Sequence, residues 1–327
     1  MDIITMRELA KGLATYVPGL MRLRRGRTGG TDSARYCYSV WLRHLVMVFN
    51  NGLDCQPFSV AELGPGDSLG VGLAALLSGV SRYQALDTVE YASVEANLAI
   101  LGELIELFAK REAIPGEIEF PDVHPRLKSY DFPRRILTED RLKEALQPNR
   151  IEAIRDALCN LGADGEGEIQ ISYCVPWYEP TVIIKNSVDM AFSQAVLEHV
   201  DQLAHTYRAL WAWLKPGGFM SHEIGFTSHD RAKAWNGHWA YPDIIWKLIR
   251  GKRSYLLNRE PLSTHLDLMQ EVGFGIICTQ RAEDTSGIAR RKLAHRFRGM
   301  SDEDLTTRSA YVLAAKPRDP ATDKPHA

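Results

Sequence analysis

Residues 58–87 read FSVAELGPGDSLGVGLAALLSGVSRYQALD, and this stretch decides the fold. A short apolar strand, FSVAEL, runs directly into the glycine-rich turn GPGDSLG, and the apolar run VGLAALLSGV that follows has the length of a helix. A second strand, YQALD, ends at Asp87, and residues 90–111 have the apolar spacing of another helix. Two strand–helix units in series predict a parallel sheet with helices packed on it.

The rest of the chain divides into a cap, further strands and two insertions. Residues 1–56 alternate apolar and polar positions at helical spacing and are predicted to form an N-terminal helical cap. Strand patterns return at IQISYCV, VDMAFSQAVLEHV, FMSHEIGF, GIICTQ and SAYVLAAKP, and the segments 112–168 and 227–263 interrupt them as insertions. We therefore predict one doubly wound, mostly parallel α/β domain at 57–317, followed by a polar tail at 318–327.

The overall composition excludes several classes of protein. The chain has 327 residues, of which 45% are hydrophobic and 24% charged, as in ordinary folded proteins. The net charge of -2 argues against nucleic acid as the main partner. No stretch approaches the about 18 apolar residues of a membrane span, and the N-terminus lacks a basic region before an apolar run, so we expect a cytoplasmic protein. Five cysteines without CxxC spacing predict neither a zinc site nor disulfides, and we expect them to be reduced and mostly buried.

The glycine-rich turn has the features of a ligand-binding loop. Glycine lacks a Cβ and tolerates positive φ, so Gly64, Gly66 and Gly70 let a ligand approach the backbone. Their GxGxxxG spacing differs from the GxGxxG that seats a dinucleotide pyrophosphate, and the preceding acid, Glu62, disfavours a phosphate and suits a cation. Asp87 ends the second strand about 20 residues further on, where an acid accepts hydrogen bonds from both ribose hydroxyls.

Three motifs in order resemble the class I, Rossmann-like S-adenosylmethionine-dependent methyltransferases of the type 11 kind. ELGPGDSLG is similar to their glycine-rich first motif, VDMAFSQAVLEHV to their fourth strand with its LEH ending, and LKPGGFMSHEI to the turn and fifth strand. The resemblance implies a seven-stranded sheet whose last strand is antiparallel. It also implies S-adenosylmethionine as the cofactor, lying across the carboxyl ends of the first strands. The sulfonium and α-ammonium groups of this cofactor are the cations that Glu62 would suit.

The resemblance also implies which residues bind the cofactor. Asp87 matches the ribose-binding acid, and Ser193 and Gln194 fall where relatives line the pocket. Many relatives carry an acid after the third strand to contact adenine, whereas this chain continues as CVPW at 174–177, and Trp177 is the candidate to stack on the base. The predicted cofactor-binding residues are Glu62, Gly64, Pro65, Gly66, Asp87, Thr88, Ser193 and Gln194.

Methyl transfer to a hydroxyl requires a base in addition to in-line approach of the acceptor. Histidine suits this role, and ligands bind at the carboxyl ends of strands in such sheets. The candidates on or after the fourth and fifth strands are His199, His222, Glu223, His229, Asp230 and His238. We predict His222 or His229 as the catalytic base, with a structural role as the alternative for each. Four of these residues, between positions 222 and 230, could bind a metal, but their spacing matches no compact ligand motif and we expect no metal site.

The second insertion suggests the kind of acceptor. It reads WNGHWAYPDIIWKLIRGKRSYLLNRE, and aromatic faces stack on sugar rings while basic groups bind phosphates. The segments HEIGFTSHD and LLNREPLS also resemble methyltransferases that neighbour glycosyltransferases in bacterial polysaccharide pathways. We predict O-methylation of a small molecule or of a sugar or glycan intermediate. The alternatives are an RNA or protein methyltransferase and a non-catalytic, cofactor-binding regulatory module, and the insertion equally fits a lid or a homodimer contact.

Overall fold

Seven strands form one sheet in the computed structural model, which describes residues 2–17, 30–161, 167–177, 179–253 and 255–318. The strands are β1 (Ser59–Leu63), β2 (Arg82–Leu86), β3 (Gln170–Cys174), β4 (Val188–Gln194), β5 (Leu214–Gly225), β6 (Gly275–Glu283) and β7 (Thr307–Ala315). Their order is β3-β2-β1-β4-β5-β7-β6, and β7 runs antiparallel to both of its neighbours while the other pairs are parallel. The predicted doubly wound, mostly parallel, seven-stranded α/β class is therefore confirmed.

Helices cover both faces of this sheet. In the described ranges they are α1 (Ile3–Ala14), α2 (Ala34–Asn50), α3 (Gly70–Leu77), α4 (Val94–Lys110), α5 (Glu139–Ala145), α6 (Pro148–Cys159), α7 (Leu203–Trp213), α8 (Asp243–Arg250), α9 (Leu262–Val272) and α10 (Asp302–Thr306). One face packs against α2 to α6 and the other against α7 and α9. Within the described ranges no helix is long and apolar enough to cross a membrane. Residues 18–29 of the predicted cap and 319–327 of the predicted tail lie outside those ranges.

Strand β1 and helix α3, the centre of the segment that decides the fold, are buried because helices cover both faces of the sheet. All five residues of β1 are buried, as expected for a central parallel strand, and every residue of α3 is buried between the sheet and its neighbouring helices. The close contact of α3 with β2 depends on Gly72. A Cβ at Gly72 would lie 1.9 Å from Cζ of the fully buried Tyr83 ring, so the glycine provides the space that the ring fills.

The two helices of the predicted cap pack on different parts of the molecule. Helix α2 packs on α3 and α4 and belongs to the helical layer over the sheet. Helix α1 instead packs on α8 in the second insertion, where a Cβ at Gly12 would lie 1.9 Å from the carbonyl oxygen of Leu248. The N-terminal helix is therefore packed against the second insertion, which follows β5.

The first insertion is attached to the core by polar side chains of α2. Arg43 is fully buried, and its guanidinium donates to the carbonyl of Pro115 at 2.9 Å, to that of Pro125 at 3.3 Å, and also to that of Val123. The ring of Tyr130 lies 5.0 Å from the same group. Because these backbone carbonyls have no regular strand or helix partner, Arg43 supplies the hydrogen bonds that such a buried segment needs.

The cysteines differ from the expectation that most are buried. All five are free, but only Cys37 is buried, whereas Cys55 and Cys159 are exposed and the other two are half-buried. The expectation was wrong because Cys55 lies in the loop before β1 and Cys159 ends α6, so neither faces the core.

Replacing Gly72 with alanine tests the close packing of α3 on β2. We expect Gly72→Ala to lower the free energy of unfolding by about 1–3 kcal/mol, because the new Cβ displaces the Tyr83 ring. The matched control is Gly102→Ala in α4, where nothing lies within 4 Å of the added Cβ and alanine should be neutral or stabilising by up to about 1 kcal/mol. Denaturant titration measures both, and equal effects of the two substitutions would contradict this packing.

Candidate active site

The carboxyl ends of β1, β2, β4 and β5 lie side by side at one edge of the sheet, because these strands are parallel. The glycine loop follows β1, Asp87 follows β2, and the segment that begins at Ala195 follows β4. Sharp turns mark two of these exits, since Ala195 has a φ of 54° and Gly64 a φ of 63°. The predicted cofactor residues are thus gathered at one edge.

The glycine loop is shaped by positive φ and by close neighbours. Gly64 and Gly66 have φ values of 63° and 75°, in the left-handed region that favours glycine. A Cβ at Gly64 would lie 2.6 Å from the side chain of Val196. The side-chain oxygen of Asn97 accepts a hydrogen bond of 2.9 Å from the amide of Leu69, which holds the far end of the loop. The loop is therefore a narrow backbone cradle, and this fits close approach of a ligand such as S-adenosylmethionine.

Asp87 lies beside this cradle with Thr88 and Trp177. Its carboxylate accepts hydrogen bonds from the amides of Thr88 at 2.6 Å and Val89 at 3.4 Å. Burial raises the pKa of Asp87 above its ordinary value, while these amide hydrogen bonds act to lower it. The amide of Trp177 donates to the Asp87 carbonyl at 3.1 Å, and the Trp177 ring meets Trp213 edge to face at 5.4 Å. Trp177 thus lies next to the ribose-binding candidate, and its stacking on adenine stays a prediction.

Glu62 lies under the cradle and is buried. A carboxyl oxygen of Glu62 accepts a hydrogen bond of 2.5 Å from the Tyr83 hydroxyl, and Glu62 is only 3% exposed. Burial raises the pKa of Glu62 to about 8, so the side chain is mainly protonated at neutral pH. Its predicted contact with a cationic ligand stays a prediction. In the structure it is a polar support between β1 and β2.

Ser193 and Gln194 point to opposite faces of the sheet, as successive strand residues do. The Ser193 hydroxyl is fully buried and shares a hydrogen bond of 2.8 Å with Nδ1 of His222. Gln194 is half-buried, and its side-chain oxygen pairs with Nε2 of His44 at 3.1 Å. Of the two, Gln194 is therefore the residue whose side chain is in a position to approach a cofactor, whereas the hydroxyl of Ser193 is turned inward.

His222 occupies a different environment from the one that a catalytic base needs. It lies in β5, is fully buried, and burial lowers its pKa to about 3. Its Nδ1 is engaged by Ser193. This placement argues for a structural role and against direct contact with a methyl acceptor, because the ring faces the packed layer under α7 and α9.

His229 lies at the edge of the sheet together with His199 and Glu198. It is exposed, follows β5, and has a φ of 46°, an uncommon conformation for a residue other than glycine. Its ring lies 5.1 Å from that of His199, which belongs to the short turn Leu197–His199 after β4. A Cβ at Gly225 would lie 2.7 Å from Oε1 of Glu198 and 3.7 Å from Nε2 of His229. These three side chains, Glu198, His199 and His229, are called the edge cluster below.

The edge cluster combines neutral imidazoles with a buried carboxyl. Burial lowers the pKa of His199 to about 4, and partial desolvation of the exposed His229 ring, followed by the charge of Arg231, lowers the pKa of His229. Burial and the charge of Glu223 raise the pKa of Glu198. Sequence reasoning singled out the two histidines but missed Glu198. The available signal was its place in the LEH ending, directly before His199, yet only the fold shows that it turns toward His229.

Two tyrosines connect the edge cluster with the cofactor edge. Tyr91 follows Asp87 along the chain, and burial and a hydrogen bond to the side chain of Tyr255 raise its pKa. The backbone of Tyr255 acts to raise the pKa of His199, against the larger effect of burial. Tyr255 therefore lies near both Tyr91 and His199, and the second insertion is part of the candidate site.

Ion pairs attach α1 to the segment that follows His229 and to the second insertion. Glu8 is fully buried and pairs with Lys11 at 2.7 Å, Arg231 at 3.5 Å and Arg253 at 3.7 Å. Burial acts to raise the pKa of Glu8, but the hydrogen bond from Lys11 and the nearby arginine charges lower it overall. These ion pairs join α1 to the segment after His229 and to the second insertion.

Most aromatic residues of the second insertion serve as packing. Trp239 and Trp246 are buried, and the Arg259 guanidinium lies 4.8 Å from the Trp246 ring. His238, another candidate base, is buried against Trp239 with 4.7 Å between ring centroids. Of the insertion's large aromatic side chains in the described ranges, Tyr255 is the clearly exposed one, at 47%. The extended sugar-stacking surface suggested by the sequence is therefore reduced to this residue and its half-buried neighbours.

The remaining candidates are Glu223 and Asp230. Glu223 is buried in β5, where burial raises its pKa to about 8. Asp230 is exposed, and with a φ of 60° it continues the left-handed turn begun by His229. Neither side chain belongs to the edge cluster.

Comparison with known proteins gives one family match and several distant structures. A family model described as a methyltransferase domain matches residues 152–221, about a fifth of the chain, from α6 into β5. No curated protein matches. An S-adenosylmethionine-dependent methyltransferase from Mesorhizobium loti is 14% identical, with 88% of this chain and 100% of that one covered and a TM-score of 0.40. One from Methanosarcina mazei is 11% identical, with 84% and 98% covered and a TM-score of 0.43.

A third similar structure contains the cofactor. Phosphoethanolamine N-methyltransferase 2 from Haemonchus contortus, in complex with S-adenosyl-L-methionine, is 12% identical, with 90% of this chain and 61% of that one covered and a TM-score of 0.41. The family match, together with the strand order, confirms the resemblance to class I S-adenosylmethionine-dependent methyltransferases and the prediction of S-adenosylmethionine as cofactor. The glycine loop and Asp87 precede the matched segment, so the individual cofactor contacts stay predictions.

The buried Glu62 predicts a pH dependence of stability. Its folded-state pKa of about 8 lies above the ordinary 4.5, so the stabilisation from the protonated form is complete below 4.5 and is lost as the pH rises through 8. We expect Glu62→Gln to lose less unfolding free energy than the unaltered protein between about pH 6 and about pH 9, because glutamine still accepts from Tyr83 and does not titrate. Denaturant titrations at both pH values measure this, and parallel losses in the two proteins would contradict it.

Proposed function

We propose that the chain transfers a methyl group from S-adenosylmethionine to a hydroxyl of a small molecule or of a sugar or glycan intermediate, with His229 as the base. The observation that carries the proposal is the position of the edge cluster, which follows β4 and β5 at the same edge of the sheet as the glycine loop and Asp87. It sets a candidate base beside the edge where the cofactor is expected. When bound, the cofactor supplies an electrophilic methyl group on its sulfonium.

The surface beside His229 has room for such an acceptor. An open pocket of about 430 Å³ is lined by Thr227, Ser228, His229, Asp230, Trp235 and Arg308. Sites for small molecules commonly have volumes of about 300–1,000 Å³. Trp235 offers an aromatic face and Arg308 a cation, a pair that suits a sugar bearing an anionic group.

The chemistry asked of His229 is a single proton transfer. Its pKa is lowered, so the ring is neutral at physiological pH and can accept the hydroxyl proton. Transfer of the methyl group to the acceptor oxygen would leave the demethylated cofactor, and His229 would hold the hydroxyl proton as an imidazolium. Glu198 and the ring of His199 lie next to the His229 imidazole and limit the orientations that it can adopt.

Replacing His229 tests this assignment. With radiolabelled S-adenosylmethionine and a panel of sugar nucleotides, small hydroxylated acids, RNA and unfolded protein, we expect transfer to a member of the first two groups. His229→Gln should lower kcat about 10²–10⁴-fold with cofactor affinity preserved, because only proton removal is lost. The rate of the unaltered enzyme should rise with pH and level off below about 6.5, since the pKa of His229 is lowered.

The control is His295→Gln, which alters an exposed histidine outside the edge cluster and should leave the rate unchanged. Transfer to RNA or protein alone would contradict the acceptor class, and cofactor binding without transfer to any acceptor would favour a regulatory module. An unaltered kcat in His229→Gln would contradict the assignment of His229 as the base.

A further inference from the structure

We propose that the edge cluster of Glu198, His199 and His229 binds one divalent transition-metal ion, and that this ion contacts the acceptor hydroxyl. The second half of the statement rests on the proposed methyl transfer, in which the ion would replace His229 as the group that activates the hydroxyl, whereas the metal site stands on geometry alone. Sequence reasoning predicted no metal, because these ligands lie on two segments 30 residues apart that only the fold brings together.

The three side chains have suitable spacing. One ligand atom from each of them lies within 4.8 Å of the other two. A zinc ion with bonds of about 2.0–2.2 Å holds its ligand atoms roughly 3–4 Å apart, so a modest rotation of the exposed His229 would complete the set. The left-handed backbone at His229 and Asp230 turns the His229 side chain back toward Glu198.

Two buried polar atoms in the edge cluster point to a ligand. Glu198 is only 3% exposed, and while its Oε1 accepts from the amide of Gly225 at 3.2 Å, its Oε2 is buried with no hydrogen-bond partner among the described residues. Nδ1 of His199 is likewise buried and unpartnered among those residues. Buried polar groups are normally satisfied, and one cation at this position would satisfy both.

The ligand types decide which ion fits. Two imidazoles and one carboxylate are the ligands of catalytic zinc sites and of other first-row transition metals, whereas magnesium and calcium prefer all-oxygen sets. Three protein ligands leave at least one coordination position open. Of the three ligands, His229 also lines the acceptor pocket, so the open coordination position would face it.

The ion would change the part that His229 plays. A hydroxyl bound to the ion would have a lowered pKa and would give its proton to water, and its oxygen would then accept the methyl group from sulfur. His229 would then act through the ion as a ligand. An acceptor with two neighbouring oxygens, such as a vicinal diol or a hydroxy acid, would chelate the ion, which narrows the substrate class.

A single water is the simplest competing occupant. A cavity of about 10 Å³ next to Glu198 is lined also by His238 and Arg259 and has room for about one water. Such a water could hydrogen-bond Glu198 without any metal. The two possibilities differ in whether the purified chain binds a cation stoichiometrically.

Cobalt titration tests the proposal. Full-length protein freed of metal with a chelator is titrated with Co²⁺, followed by visible absorption and by calorimetry. We expect one Co²⁺ per chain and the visible d–d absorption of a four- or five-coordinate Co²⁺ ion with nitrogen and oxygen ligands. Glu198→Gln and His229→Gln should each weaken binding at least about tenfold. His295→Gln, an exposed histidine outside the edge cluster, should bind as the unaltered protein does.

The absence of saturable Co²⁺ and Zn²⁺ binding would overturn the proposal, as would unchanged affinity in both cluster variants. Thermal melting of each variant separates loss of a ligand from loss of the fold, and His229→Gln alters an exposed side chain, so it should remain folded. Calorimetry with S-adenosylmethionine on the same samples separates the two proposals. Cofactor binding without metal binding would contradict only the proposed metal site. Metal binding without cofactor binding would contradict the proposed methyl transfer and would support the metal site.

Discussion

The buried polar face of α2 is the constraint on which the rest of the structure depends. Arg43 extends to one side and donates to backbone carbonyls of the first insertion, including that of Pro115. His44 extends to the other side, where its two ring nitrogens hydrogen-bond Ser221 at 2.7 Å and Gln194 at 3.1 Å. Because both side chains are fully buried, shifting this helix would leave several polar groups unsatisfied at once. Helix α2 thus holds the first insertion in a fixed position relative to the carboxyl ends of β4 and β5.

The candidate site depends on this frame because its residues follow directly from those strands. Gln194 is the last residue of β4, and Glu198 lies four positions beyond it, while His229 follows β5. On the other side of β1, Glu62 and Tyr83 hold the glycine loop in a similar way, with a buried hydrogen bond between neighbouring strands. One buried polar network therefore supports the glycine loop, and another supports the strand ends that precede the edge cluster. Tyr255 of the second insertion lies near Tyr91, which follows β2.

Local patterns in the sequence predict the parts of the fold and site that local chemistry determines. The strand, glycine turn and helix around Gly64, and the acid at the end of β2, follow from periodicity and spacing, and the strand order follows from the resemblance. The roles of the histidines could not be predicted in this way. His222 and His229 are equally plausible in the sequence, but strand alternation turns the first inward and a left-handed turn exposes the second. Glu198 was missed because its meeting with His229 is a tertiary contact.

The central claim is that S-adenosylmethionine binds across the glycine loop and Asp87. Calorimetric titration of the purified chain with S-adenosylmethionine tests it most directly, beside Asp87→Asn and, as a matched control, Asp156→Asn on the exposed surface of α6. The account predicts one binding site, an affinity about ten- to a hundredfold weaker in Asp87→Asn because charged hydrogen bonds to the ribose are lost, and no change in the control. No binding to the unaltered chain, or equal affinity in all three proteins, would contradict it.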